Sequence, residues 1–340
     1  MSLLSAKALS TVAASSLGLA MVVTAAWFWT NQGDPAPLAG SNQSCAVTAQ
    51  DSPYPGMAWV PAGSFTMGAE IAYREEGPMH AAEVAGFWMD QTEVTNAQFA
   101  EFVAATGYLT LAERGITDPA NPAAAPRPGS AVFKPAVDAA NPFASWWQFV
   151  DGTNWLHPQG PDSNIAGLEQ HPVVHIAFED AQAYAQWKGH SLPTEAQFEY
   201  AAQSSRRKNS EGQHISNTWQ GFFPFQHESL DGYTGTAPVA CYTANILGLY
   251  DLIGNVWEWT ASPYFPGHDA TEQESHPEGF DPNQPEETAV AVIKGGSWLC
   301  APNYCMRYRP EARQGQSKGL GTSHIGFRTV LIPTNDFEVP

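Results

Sequence analysis

The sequence predicts an irregular α+β domain, loop-rich and low in regular secondary structure. Glycine and proline, at 29 and 27 residues, break the chain at short intervals. The apolar share is 43%, with 12 tryptophans, enough for a large core built on aromatic rings. Helical periodicity surfaces only in short, capped stretches set between strand-like runs, and no internal repeat is visible.

Residues 1–30 come first. No charge falls between Lys7 and Asp34, and Thr11 to Trp29 is apolar, so this segment (through 11–29) is either a signal peptide or a single membrane anchor. A small residue at Ala26 favours cleavage, whereas Trp27, Phe28 and Trp29 suit a membrane–water interface and favour an anchor. Either way the body is expected to be exported, to the periplasm, the secretory pathway or the extracellular space. Residues 31–50 read as a flexible linker, and residues 51–340, with no linker-like break, as one domain.

Within that domain "MAWVPAGSFTMGAE" reads as strand, turn, strand. Thr95 and Gln98 form a capping box that opens a helix, with Phe99, Phe102, Val103 and Thr106 on one face and Gly107 ending it. Residues 117–145, rich in Pro and Ala, are expected to loop over the surface. "HPVVHIAFEDAQAYAQWKGHSLPTEAQFEYAAQ" reads as two helices around a turn, the second opening on Thr194 with Gln197 as its capping partner and Phe198 and Ala202 inward. Residues 264–288, acidic and Pro-rich, are expected to form an exposed insertion. The formal net charge of -19 repels nucleic acid and anionic membrane surfaces, so neither is an expected partner.

Four cysteines in an oxidising compartment can form two disulfides, but the spacing does not say whether Cys45 and Cys241 pair. Cys300 and Cys305 lie five residues apart in "GGSWLCAPNYCMRYRPEAR". So short a loop gains little from a disulfide. A zinc site lacks its further ligands here. Two thiolates alone suit a soft ion of low coordination, Cu(I) above all. Arg307, Arg309 and Arg313 would favour thiolates if they point inward. Spacing alone leaves a structural disulfide and a functional pair evenly balanced.

The same stretch, with "SHIGFRTV" beyond it, resembles the active-site segment of the formylglycine-generating enzymes, the sulfatase-modifying factors. "WVPAGSFTMGAE", "EVTNAQFAEFVAATGY", "GTNWLHPQGPDS", "LPTEAQFEYAA", "SNTWQGFFP", "DGYTGTAPV" and "GLYDLIGNVWEWT" match in order, from Met57 to Val330. The resemblance implies that family's fold for residues 51–340 and its activity: oxidation of a cysteine in a Cys-x-Pro-x-Arg segment of an unfolded sulfatase to formylglycine, with copper and O2. Cys300 and Cys305 would hold Cu(I), Ser297 and Trp257 would stand near the metal, and Arg309 matches an active-site arginine. The plainer readings of these three are a turn residue, a core indole and a surface ion pair. His324, where animal members carry Asn, would lie near the substrate, and Trp155 is the candidate wall of a peptide groove, with a core tryptophan as its equal alternative.

Two calcium sites follow by the same resemblance: Asn217, Thr218, Asp231 and Tyr233 in the first, Asp251, Gly254, Val256 and Glu258 in the second, mixing carboxylate or amide oxygens with backbone carbonyls. Without the resemblance these are turns and caps. Two rival functions stand beside the main one: another oxidative maturation enzyme of the same superfamily, and a non-catalytic, lectin-like module using calcium and an aromatic groove.

Overall fold

The computed structural model describes residues 45, 47, 52–70, 72–117, 123–135, 146–269, 275–286 and 288–333, within one compact unit, Gln43–Pro340. The expected signal or anchor segment and most of the linker lie outside the described residues. Among the described residues no helix is long and apolar enough to cross a membrane.

The predicted strand–turn–strand is β1 (Met57–Val60) and β2 (Gly63–Met67). Strand β2 pairs with β3 (His80–Val84), and β1 with β4 (Phe87–Asp90), both antiparallel. The capped helix is α1 (Asn96–Thr106): Thr95 accepts from the Gln98 amide, the reciprocal bond is present, and Gly107 closes the helix with φ 67°. That positive φ is where a side chain would be strained. A single turn, α2 (Leu111–Arg114), follows. The predicted pair of helices is α3 (Phe178–Lys188) and α4 (Glu195–Ala202), the latter opened by the Thr194–Gln197 capping box with Phe198 and Ala202 fully buried.

Two expectations need correction. The stretch read as surface loop contains β5 (Gly129–Phe133), which pairs with β6 (Trp147–Asp151) and buries Ser130, Val132 and Phe133. Residues 264–288 are not simply an exposed insertion. Tyr264 and Phe265 are buried, and backbone bonds Tyr264 N to Val290 O and Val290 N to Glu278 O tie the segment to β8 (Val290–Lys294). Burial of the Tyr264 and Phe265 rings is what holds this end of the segment against the domain.

Strand β8 sits between β7 (Trp257–Pro263) and β9 (Arg313–Ser317) in a four-stranded sheet whose other edge is β10 (Ile325–Gly326), parallel to β7. A last short strand, β11 (Val330–Leu331), joins β4. The main core packs α1, α3, β7 and β8 around Phe99, Phe102, Tyr184, Trp259, Ile293 and Phe327, and Cys300 and Cys305 belong to it. The thiol segment therefore leaves a fully buried central strand and is anchored at its root.

Candidate active site

Strand β8 delivers the chain to Gly295 and Gly296, whose φ angles are 90° and 75°. At Gly296 a Cβ would stand 2.5 Å from the Arg307 carbonyl and 3.3 Å from Cys300 Sγ. Only glycine lets the two limbs of the segment meet there. Beyond it, Cys300 N donates to Ser297 O, and Cys305 N donates to Ala301 O. These turns set the two sulfurs face to face, Sγ to Sγ 2.8 Å apart and unbonded. The side that stays bonded is elsewhere: Cys45 and Cys241 form a disulfide.

Cys300 is 1% exposed and Cys305 8%. Both border a cavity of about 400 Å³, which Trp257, Ser297 and His324 also line. Five residues expected at the site thus meet around one space. Ser297 offers its amide toward Cys300 Sγ at 3.5 Å, and its Oγ accepts from Leu299 N. Trp257 is both things proposed for it, a buried core indole with an edge in the cavity, and its amide bonds the His324 carbonyl. His324 holds its Nδ1 2.6 Å from Thr322 Oγ1, and burial pushes its imidazole down to about 3, so it is neutral at physiological pH.

The structure does not bring Trp155 or Arg309 to this cavity. Trp155 is a core indole, 5.2 Å from Phe99 in an edge-on contact. Trp147 of β6 takes the rim position instead, its ring 4.7 Å from that of His324. Arg309 turns to the buried carboxylate of Glu76 and to Glu311. The cavity's arginine is Arg307, two residues earlier. Tyr304, between the cysteines in sequence, also lines the cavity and stacks on Phe223 at 4.6 Å. An aromatic flanked by both thiols was the available signal for Tyr304; Trp147 and Arg307 had none stronger than their neighbours.

The thiols are electrostatically unequal. Burial, and then its bond to Cys305, push the Cys300 thiol well up. The hydrogen bond from Cys300 brings Cys305 down to about 7, outweighing burial with further help from the Arg307 backbone and guanidinium. The expected consequence is ordered alkylation. In metal-free protein iodoacetamide should label Cys305 before Cys300, with a rate rising through about pH 7, as mass spectrometry of tryptic peptides would show; equal labelling would contradict it. Among the described residues no group of three His, Cys, Asp or Glu side chains forms a metal cluster. Two thiolates side by side are the donor set that a soft ion of low coordination takes.

The two oxygen-rich groups lie side by side. Asn217 is buried, its Oδ1 has no partner, and its carbonyl accepts from Asn255 N. Asp231 accepts from Tyr233 N and Tyr242 Oη, while the Thr218 hydroxyl accepts from Arg207. A Cβ on Gly254 would meet the Asn217 carbonyl at 2.3 Å, so glycine there permits the two groups to touch. In the second group Val256 is buried, Asp251 accepts from Ala240 N, and Glu258 is bound through both oxygens by Arg328, at 2.7 and 2.8 Å. A third buried acid, not picked from sequence, completes it: Glu93 accepts from Asn255 but leaves Oε2 unpartnered, 3.9 Å from Arg328. Burial, then Asp251 and Glu258, raise the Glu93 carboxyl well up, and burial raises Asp251 to about 6. Three buried carboxylates thus surround one guanidinium, with orphan oxygens left on Glu93 and Asn217.

The site is thus an unbonded, buried thiol pair opening on a cavity within an α+β domain. The chain belongs to the sulfatase-modifying factor family: the model of the sulfatase-modifying factor enzyme 1-like domain matches residues 42–332. It is 44% identical over 296 residues to the formylglycine-generating enzyme of Mycobacterium tuberculosis, spanning 81% of this chain and 97% of that one. It is 40% identical over 299 residues to the formylglycine-generating enzyme of Mus musculus, spanning 82% of this chain and 76% of the relative. Among solved structures PvdO from Pseudomonas aeruginosa shares the fold, with TM-score 0.55 at 21% identity over 81% of this chain and 93% of that one.

Proposed function

We propose that this chain is an exported formylglycine-generating enzyme that oxidises a cysteine in a Cys-x-Pro-x-Arg segment of an unfolded sulfatase, with copper and O2. The observation that carries the reading is the unbonded thiol pair, 2.8 Å apart at the wall of a cavity. Membership of the family and its similarity to relatives named for this activity support it.

Cys300 and Cys305 would hold copper as two thiolates. Copper, when bound, supplies the activation of O2 that no amino-acid side chain provides. The protein's own residues do the rest. Trp257 and Leu299 wall the cavity with apolar surface and keep water from the sulfurs. Ser297 fixes the Cys300 turn through its amide and hydroxyl. Trp147, Tyr304 and Phe223 offer flat apolar surface to an extended chain entering the cavity, and neutral His324 offers a hydrogen bond without charge. A buried thiol pair can be reached only by a flexible segment, and proline in the target disfavours regular structure that would hide the cysteine. The cations at Asn217, Thr218, Asp231 and Tyr233, and at Asp251, Gly254, Val256 and Glu258, would be calcium in a structural role, remote from the thiols in sequence but bonded to their segment through Gly254 N to Gly295 O. The N-terminal segment 1–30 would carry the chain out of the cytoplasm, as a signal peptide or as an anchor.

The test is oxidation of three competing peptides followed by mass spectrometry: the parent Cys-x-Pro-x-Arg sequence, one with Arg changed to Ala and one with Pro changed to Ala. Preference for the parent by at least about tenfold, roughly 1.4 kcal/mol, is expected. Equal oxidation of all three would remove sulfatase recognition from the reading.

A further inference from the structure

We propose that Tyr73 and Glu75 are positioning residues for the thiol centre, acting through Arg307. The proposal rests on the thiol-centre reading above. Among the described residues that line the cavity, Arg307 is the one carrying a full formal charge. A long guanidinium side chain does not stay at one point unaided, because fixing its rotamers costs entropy. Here a segment more than two hundred residues earlier in the chain fixes it. The Arg307 guanidinium lies over the Tyr73 ring, 3.9 Å from the centroid, and its Nη2 pairs with Glu75 Oε1. Tyr73 is itself pinned to the thiol segment, its Oη accepting from Met306 N at 3.1 Å. The strap is then locked from behind. The Glu75 carbonyl accepts from Arg313 at 2.9 Å, Glu195 grips Arg313 through both oxygens, and Arg309 holds the neighbouring Glu76.

The arrangement has a clear electrostatic use. Two thiolates around one monovalent cation leave a net negative charge, and a substrate thiolate adds another. In a cavity walled by protein such charge is costly unless a fixed positive group faces it. Arg307 Nε is buried with no partner among the described residues, while Nη2 is spent on Glu75. The ring and the carboxylate together fix where the guanidinium stands at the cavity wall. Tyr73 and Glu75 are not among the residues that line the cavity; they set where the charge stands.

The experiment is a double-mutant cycle on the full chain, with two readouts: Cu(I) affinity by competition with a chromogenic Cu(I) chelator, and the rate of Cys305 alkylation in metal-free protein. Thermal melting confirms that each variant is folded. Arg307→Met is expected to weaken Cu(I) binding and to slow alkylation by about tenfold, and Tyr73→Leu by about threefold. Tyr73→Leu added to Arg307→Met should do no more, since its effect runs through the arginine. Tyr73→Phe, which keeps the ring over Arg307 and loses only the bond from Met306 N, should retain most of the wild-type values, whereas a role through that bond alone predicts a loss as large as that of Tyr73→Leu. The proposal is overturned if Tyr73→Leu changes neither readout, or if its effect adds in full to that of Arg307→Met. A wild-type protein that binds no Cu(I) but shows the non-additive alkylation pattern would sink the copper reading and leave the positioning role standing.

Discussion

Cys300→Ser and Cys305→Ser are each expected to cut peptide oxidation by at least about a hundredfold, about 2.7 kcal/mol of barrier, while melting within a few degrees of wild type. The two sulfurs are not bonded to one another, so neither change opens a disulfide. Serine is slightly smaller than cysteine and sits on the same turns, made by Ser297 and Ala301 carbonyls rather than by the thiols. The cost to the fold should stay near the ~1 kcal/mol typical of a mild buried substitution. The cost to function is larger, because a hydroxyl is not a soft ligand and one thiolate cannot hold a two-coordinate ion. Activity and copper content should fall together in both variants. Near-full activity of Cys305→Ser in the presence of added copper would refute the paired-thiolate site. The same experiment separates a functional pair from a static disulfide, since wild-type protein treated without reductant should accept two alkyl groups, while Cys45 and Cys241 stay bonded.

What could be read from the sequence was set by the range of the interactions. Helix α1 and helix α4 were legible to the cap because Thr95 with Gln98, and Thr194 with Gln197, satisfy orphan amides three residues away. Strand β5 was not. Its five residues sit in Pro- and Ala-rich surroundings, and what makes them a strand is pairing with β6, 14 residues distant at Phe133 and Trp147 once the register is known. The thiols, Ser297 and His324 were found through motif resemblance, and their convergence follows from the segment anchored on β8 and from β10, which runs parallel to β7 in the same sheet. Arg307 and Arg309 illustrate the limit. Both follow Cys305 at alternate positions, and only the strap from residues 73–76 decides which one faces the cavity and which turns to Glu76. Trp155 and Trp147 pose the same problem, as two indoles eight residues apart, one taken by Phe99 into the core and one left at the rim. Glu93 stands in no motif at all; long-range packing alone brings it to Asn255 and Arg328.

Removal of bound calcium should lower the melting temperature of the wild-type protein, and Glu258→Ala should lower it further than Asp231→Ala. Glu258 and Arg328 are both fully buried, and breaking such a pair by deleting one partner costs about 3–5 kcal/mol. Part of that loss is recoverable here, since Arg328 retains Glu93 at 3.9 Å and backbone carbonyls at Tyr250, Asp90 and Gln91. Asp231 is only half-buried and accepts neutral hydrogen bonds from Tyr233 and Tyr242, so its truncation should cost about 1–2 kcal/mol. A bound cation would contribute through linkage: at a hundred times its dissociation constant it adds about 2.7 kcal/mol to the native state, and at this chain length each kcal/mol moves the midpoint by about 2–4 °C. A chelator should therefore depress wild-type melting by several degrees, and depress the Glu258→Ala variant less, because that variant has already lost an anionic oxygen of the site. Scanning calorimetry with and without chelator reads all three. If the wild-type midpoint did not move, the buried carboxylates of Glu93, Asp251 and Glu258 would be held by Arg328 and protons alone, and neither oxygen-rich group would be a calcium site.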